Sequence, residues 1–166
     1  VTLPMGDEVQ LWDEFNPSLY KLTAILGNGA VKQTTFGMRE FSIKGRMFYC
    51  NGREVMLRGT VENCNFPLTG YAPMDEKSWE HLFRKCRSFG LNHMRFHSYC
   101  PPEAAFEAAD IVGFYLQPEG PSWPNHGVKL GNGMVIDKYL MTETQRMTED
   151  YGNHPSFCML ACGNEP

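Results

Sequence analysis

The sequence predicts an α/β chain in two parts: a β-structured start, then a longer region of strands alternating with helices. Three observations predict it. Gly and Asn turn signals punctuate alternating segments through the first fifty or so residues. From Val55 onward, apolar runs of strand length alternate with segments of helical periodicity, in the order βαβαβαβ. Each strand of that second region ends in polar or ionisable residues. Strands and helices alternating at this spacing imply parallel pairing through right-handed crossovers. Two architectures satisfy the order: an open doubly wound sheet, or part of a (β/α)8 barrel, whose full circuit takes about 250 residues.

The elements follow in sequence. LYKLTAIL (19–26) alternates in part, Gly27-Asn28-Gly29 tolerates the positive φ of a turn, and AVKQTTFGMREFSI (30–43) resumes a strand pattern. Two or three strands cannot bury a sandwich core, so residues 1–43 read as the tail of a β-sandwich. SIKGRMFYCNGREVMLRG reads as a hairpin turned at Asn51-Gly52. VMLRGT (55–60) reads as a buried strand. DEKSWEHLFRKCRSFG reads as a helix, with Asp75 as N-cap, Trp79, Leu82, Phe83 and Cys86 on one face, and Gly90 past its end. HMRFHS (93–98) is a second strand, and PPEAAFEAADIVG a second helix between Pro102 and Gly113. FYLQPEG (114–120) is a third strand, followed by a loop over 121–135 rich in Pro, Gly and Asn. DKYLMTETQRMTEDYG (137–152) is a third helix with Leu140, Thr144, Met147 and Tyr151 along one face. FCMLACG (157–163) is a fourth strand.

Composition removes several function classes. Of 166 residues, 42% are hydrophobic and 20% charged, with a net charge of -4 and no long basic block, so nucleic acid is not an expected partner. No apolar run approaches membrane-spanning length. VTLPMGDEVQLW lacks the basic and apolar regions of a signal peptide, and the cellular compartment stays open: periplasmic, extracellular and cytoplasmic settings all fit. The cysteines at 50, 64, 86, 100, 158 and 162 form no CxxC pair and are expected as small core hydrophobes, Cys158 and Cys162 sharing strand parity. No P-loop, no strand-following GxGxxG and no GxSxG occurs.

In either architecture, chemistry gathers at the carboxyl ends of the strands. Strand 1 ends in Arg58-Gly59-Thr60-Val61-Glu62-Asn63, strand 2 carries Arg95, His97 and Ser98, strand 3 ends in Glu119 and reaches Trp123, and strand 4 ends in Asn164-Glu165. A structural sheet has no need of Arg, His and two Glu at one rim. Glu165, at the end of a buried strand, is expected to be partly desolvated, which suits a general acid. Asn164 offers a donor and an acceptor for gripping a hydroxyl beside the reacting atom. Arg95 and His97, two apart, share a face. Glu119 is either a second acid or the ion-pair partner of Arg95. Trp123 either stacks on a sugar ring or plugs the local core. His93 reads as structural. On a strand it lies about 13 Å from His97, which excludes a simple zinc pair, and no metal site is expected.

LWDEFNPSLYKL, FGMREF, FYCNGREVMLRG, NHMRFHSYCPP, GFYLQPEGP and YGNHPSFCMLACGNEP occur in this order. Together they resemble family 2 glycoside hydrolases, the β-galactosidases, β-glucuronidases and β-mannosidases. The resemblance implies that residues 1–43 are the C-terminal part of an immunoglobulin-like β-sandwich, and 44–166 the N-terminal half of a (β/α)8 barrel with four of its strands. It implies a β-glycoside substrate, no cofactor, and self-association through the open edges of a half barrel. Glu165 matches the family's general acid/base, Asn164 the neighbour that holds the sugar 2-hydroxyl, and Arg95 and His97 the strand 2 positions lining the pocket. Glu119 matches an acidic position at the end of strand 3. The family's nucleophile lies on strand 7, and no residue here matches it, so the chain alone is expected to be inactive. The usual Asn-x-His ending of strand 1 is replaced by Thr60-Val61-Glu62-Asn63-Cys64-Asn65. The alternative reading is a non-catalytic carbohydrate-binding protein on a degenerate barrel.

Overall fold

Tight turns order the first strands. In the computed structural model, which describes residues 2–123 and 129–165, β1 (Tyr20–Ile25) pairs antiparallel with β2 (Val31–Phe36). Part of the expected 121–135 loop, residues 124–128, lies outside the described residues, as does Pro166. The strand pattern expected over 30–43 is broken at Gly37, where any β-carbon would overlap Pro155 and Trp12. It resumes as β3 (Phe41–Lys44), which forms an antiparallel meander with β4 (Met47–Cys50) and β5 (Arg53–Val55). Asn51 and Gly52 adopt φ of 53° and 77°, the doubly positive geometry of a two-residue hairpin.

The strand expected over 55–60 is divided between two sheets. Val55 closes the meander opposite Phe48, and a new strand, β6 (Gly59–Glu62), begins four residues later. Asn92 makes the junction: its Oδ1 accepts from the Arg58 N–H at 2.7 Å, and its own N–H donates to the Arg58 carbonyl at 3.0 Å. β6, β7 (His93–Phe96) and β8 (Tyr115–Gln117) form a parallel sheet in that order. Helices α1 (Glu76–Ser88) and α2 (Glu103–Val112) supply the crossovers, and α3 (Val135–Tyr151) precedes the last segment. Asp75 caps α1 by accepting from the Ser78 N–H, and Gly90, at φ 81°, ends it. No helix among the described residues is long and apolar enough to cross a membrane.

Alternation along β7 sorts its side chains. Met94 and Phe96 are buried with Trp79, Phe83, Phe106, Phe114 and Leu116 between sheet and helices, leaving His93 and Arg95 for the other face. Beneath that face a second cluster forms from Trp12, Cys50, Val55 and Tyr115. The N-terminal segment is fastened there: the Trp12 indole donates to the Asp110 carbonyl at 2.8 Å, and buried Glu14 accepts from the Asn92 amide and from Arg58.

His93 is buried against Gly59, and desolvation pushes its imidazole down from 6.5 to about 4, against the opposing effect of Gln117, whose side-chain oxygen can accept from the ring. The native state therefore holds His93 neutral at pH values where the unfolded chain protonates it. Stability is full above about pH 6.5 and is lost as pH falls toward 4, by on the order of 3 kcal/mol. Urea unfolding at stepped pH should show that decline, and His93→Gln should flatten it.

The expected fourth strand, 157–163, is reduced to two bridges to β8 and its extension, Leu116–Phe157 and Glu119–Ala161. Pro118 has no N–H to give the ladder. Three steps on one side also oppose four on the other, so one residue bulges. The bulge shifts the parity of everything after it: Cys158 is half-buried and Cys162 exposed, where both were expected on one buried face. The core expectation for thiols holds fully only for Cys50; Cys64 and Cys162 are exposed. Beyond the bulge, Gly120 donates to the Ala161 carbonyl at 2.9 Å and lies so close to the Cys162 carbonyl that any β-carbon would overlap it. Gly120→Ala should therefore destabilise by about 1–3 kcal/mol, read as a lower urea midpoint. An unchanged midpoint would mean that this strand contact is loose.

Candidate active site

Three chain segments converge where β7, β8 and the last segment end. Arg95, near the end of β7, extends its guanidinium to Glu119, with Nε–Oε2 at 2.6 Å and Nη2–Oε1 at 3.0 Å. This planar fork matches a carboxylate's two oxygens. Glu119 is fully buried and also accepts from the Ser98 N–H at 3.0 Å, so its desolvation is compensated by three donors. Chiefly through its bond to Glu119, and further through the charges of Glu119 and Glu165, Arg95 is held above its ordinary pKa.

Arg95 also donates to the Asn164 Oδ1 at 2.8 Å. Arg is donor-only, so Asn164 must present its oxygen there and direct its NH2 elsewhere. The Asn164 N–H donates to the Ser122 carbonyl at 2.9 Å, and Gly163 permits that approach, since a β-carbon there would overlap Ser122. Asn164 is thus buried and anchored by backbone and side chain together.

Glu165 follows in a left-handed conformation, φ 49°, which costs a non-glycine residue on the order of 1–3 kcal/mol. Its Oε2 accepts from the Trp123 indole N–H at 2.9 Å. The Trp123 ring meets the His97 ring edge to face at a centroid distance of 4.8 Å. His97 Nδ1 lies 3.0 Å from the Ser98 hydroxyl, and Ser98 leads back to Glu119. The contacts close into a circuit: Glu165, Trp123, His97, Ser98, Glu119, Arg95, Asn164 and back along the chain to Glu165.

All six residues singled out in the sequence, Glu165, Asn164, Arg95, His97, Glu119 and Trp123, fall on this circuit. Of the two readings of Glu119, the ion pair with Arg95 is the one observed. Trp123 is not a core plug, being 42% exposed. Glu165, the last described residue, is exposed among the described residues. Strand 1 contributes mainly backbone, the Glu62 carbonyl accepting from the His97 N–H at 2.8 Å. Ser98 and Ser122 have roles that the sequence left unassigned. Both act in part through backbone groups, which every residue type carries. The one signal for Ser98 was its place beside His97 at the rim.

Comparison with known proteins identifies the family of the chain. The profile of the glycosyl hydrolases family 2 TIM barrel domain matches residues 41–166. A β-galactosidase from Staphylococcus xylosus is 31% identical over 118 residues, 71% of this chain and 12% of that protein. The apo structure of β-glucuronidase 3 from Bacteroides uniformis superposes with a TM-score of 0.75 at 28% identity, over 94% of this chain and 20% of that one. A β-glucuronidase from Ruminococcus gnavus, at 24% identity, shares the fold with a TM-score of 0.82 over 95% of this chain and 27% of that one. The chain spans about a fifth or less of the length of the curated relatives it matches. The match over most of its length makes the chain a member of the glycosyl hydrolase family 2 TIM barrel domain family.

Proposed function

We propose that these residues carry the acid/base half of a retaining β-glycosidase. In this reading residues 44–166 are the N-terminal half of a (β/α)8 barrel, and 1–43 the last strands of an immunoglobulin-like sandwich. The parallel order β6-β7-β8 and the family match beginning at residue 41 support it. The observation that carries the function is the anchoring of Asn164 by Arg95, because it fixes the backbone from which Glu165 projects.

The chemistry needs two carboxyls about 5–5.5 Å apart. One attacks the anomeric carbon while Glu165, as the acid, gives its proton to the departing glycosidic oxygen. Glu165, now a carboxylate, then takes a proton from water as that water releases the glycosyl-enzyme. Glu119 cannot be the attacking group: it is fully buried and its oxygens are committed to Arg95 and Ser98. This reading takes the nucleophile from outside these 166 residues, as the resemblance to the family implies. The NH2 of Asn164, turned away from Arg95, is the group that holds a sugar hydroxyl oxygen. Arg95 and Glu119 act on the sugar through Asn164, and His97 and Trp123 wall the same side.

Relatives named for β-galactoside and β-glucuronide hydrolysis make those sugars the first to assay. The 166-residue chain should release no p-nitrophenol from either aryl glycoside above the buffer rate. Turnover by this chain, abolished in Glu165→Gln, would overturn the assignment of the nucleophile to another segment.

A further inference from the structure

We propose that Trp123 is a positioning residue for the Glu165 carboxyl rather than a platform on which the sugar stacks; this rests on the reading of Glu165 as acid/base. Three observations carry it. The indole N–H donates to Oε2 of Glu165 at 2.9 Å. The ring is set in orientation by His97, which it meets edge to face, 4.8 Å between centroids and 66° between planes. His97 in turn is held by the Ser98 hydroxyl, and Ser98 by buried Glu119. Trp123 is thus braced from behind while its one polar atom addresses the carboxyl. Backbone geometry makes such a brace necessary. Glu165 adopts φ 49°, a conformation that its own chain does not favour, and its side chain is exposed. The indole N–H is a donor without an acceptor function, so it pairs better with the carboxylate than with the protonated acid. It favours the form left after the proton has gone to the departing oxygen.

The other two indoles provide internal controls. Trp12 donates to the Asp110 carbonyl and Trp79 to the Pro73 carbonyl, both remote from Glu165. In the 166-residue chain, Glu165→Ala should move the Trp123 indole N–H resonance upfield and leave the other two in place. Kinetics then separate positioning from stacking, using phenyl and 2,4-dinitrophenyl β-glycosides, as galactosides and glucuronides, in the longer polypeptide that supplies the nucleophile. The phenyl leaving group needs protonation and the dinitrophenyl group does not. Trp123→Phe should lower kcat/KM for the phenyl glycoside roughly 10- to 100-fold, the worth of one hydrogen bond to a charged group, and much less for the dinitrophenyl glycoside. Equal losses for both substrates, or a rise in KM alone, would overturn the proposal in favour of sugar stacking. Glu165→Gln in the same assay keeps the two readings apart. A steep leaving-group dependence there without one in Trp123→Phe overturns only the role of Trp123. Its absence from Glu165→Gln itself removes the acid/base reading as well.

Discussion

Arg95→Met should lower the stability of the chain by about 3–5 kcal/mol, the largest loss expected of any single substitution at the site. The cause is what remains. Glu119 is fully buried, and without the guanidinium fork only the Ser98 N–H, among the described residues, still serves its carboxylate. Asn164 loses the partner of its side-chain oxygen in the same step. Removing the carboxylate as well should recover much of the loss, so Arg95→Met with Glu119→Leu should unfold at higher urea than Arg95→Met alone. That non-additivity, measured as a double-mutant cycle, separates a buried charge left unpaired from a simple loss of packing. Additive losses would mean that the two side chains act independently.

Glu165→Gln should lower kcat/KM for phenyl β-glycosides by about 10²- to 10⁴-fold in a polypeptide that joins this segment to the proposed nucleophile, with no change in urea midpoint. Gln is isosteric, keeps an oxygen for the Trp123 indole, and lies at an exposed position. The loss therefore reports the proton and little else. Loss of activity accompanied by an equal loss of stability would point to a structural role.

The sequence read the grouping of the candidate residues better than it read the strands. Arg95, His97, Glu119 and Asn164-Glu165 were legible as a candidate cluster because polar and ionisable residues at three strand ends have no structural reason to gather. The helices were legible from their ends, Asp75 and Gly90 for α1, and Pro102 and Gly113 for α2. The division of 55–60 between two sheets was not legible. It depends on Asn92, thirty-odd residues away, taking both backbone groups of Arg58. The bulge opposite Pro118 was hidden for a similar reason. Pro118 was visible in the sequence, but which strand lost a hydrogen bond to it was not. The fate of Glu119 turned on distance: an acid at a strand end and an acid in an ion pair read alike until Arg95 is seen 2.6 Å away.

Azide supplied to Glu165→Ala tests the assignment of Glu165 most directly. With the acid/base side chain gone, a small anion can reach the anomeric carbon of the glycosyl-enzyme without needing a base. In the longer polypeptide, azide should restore turnover of 2,4-dinitrophenyl β-glycosides, and the product should be the β-glycosyl azide, retained in configuration. An α-glycosyl azide, or turnover indifferent to azide, would contradict the role given to Glu165.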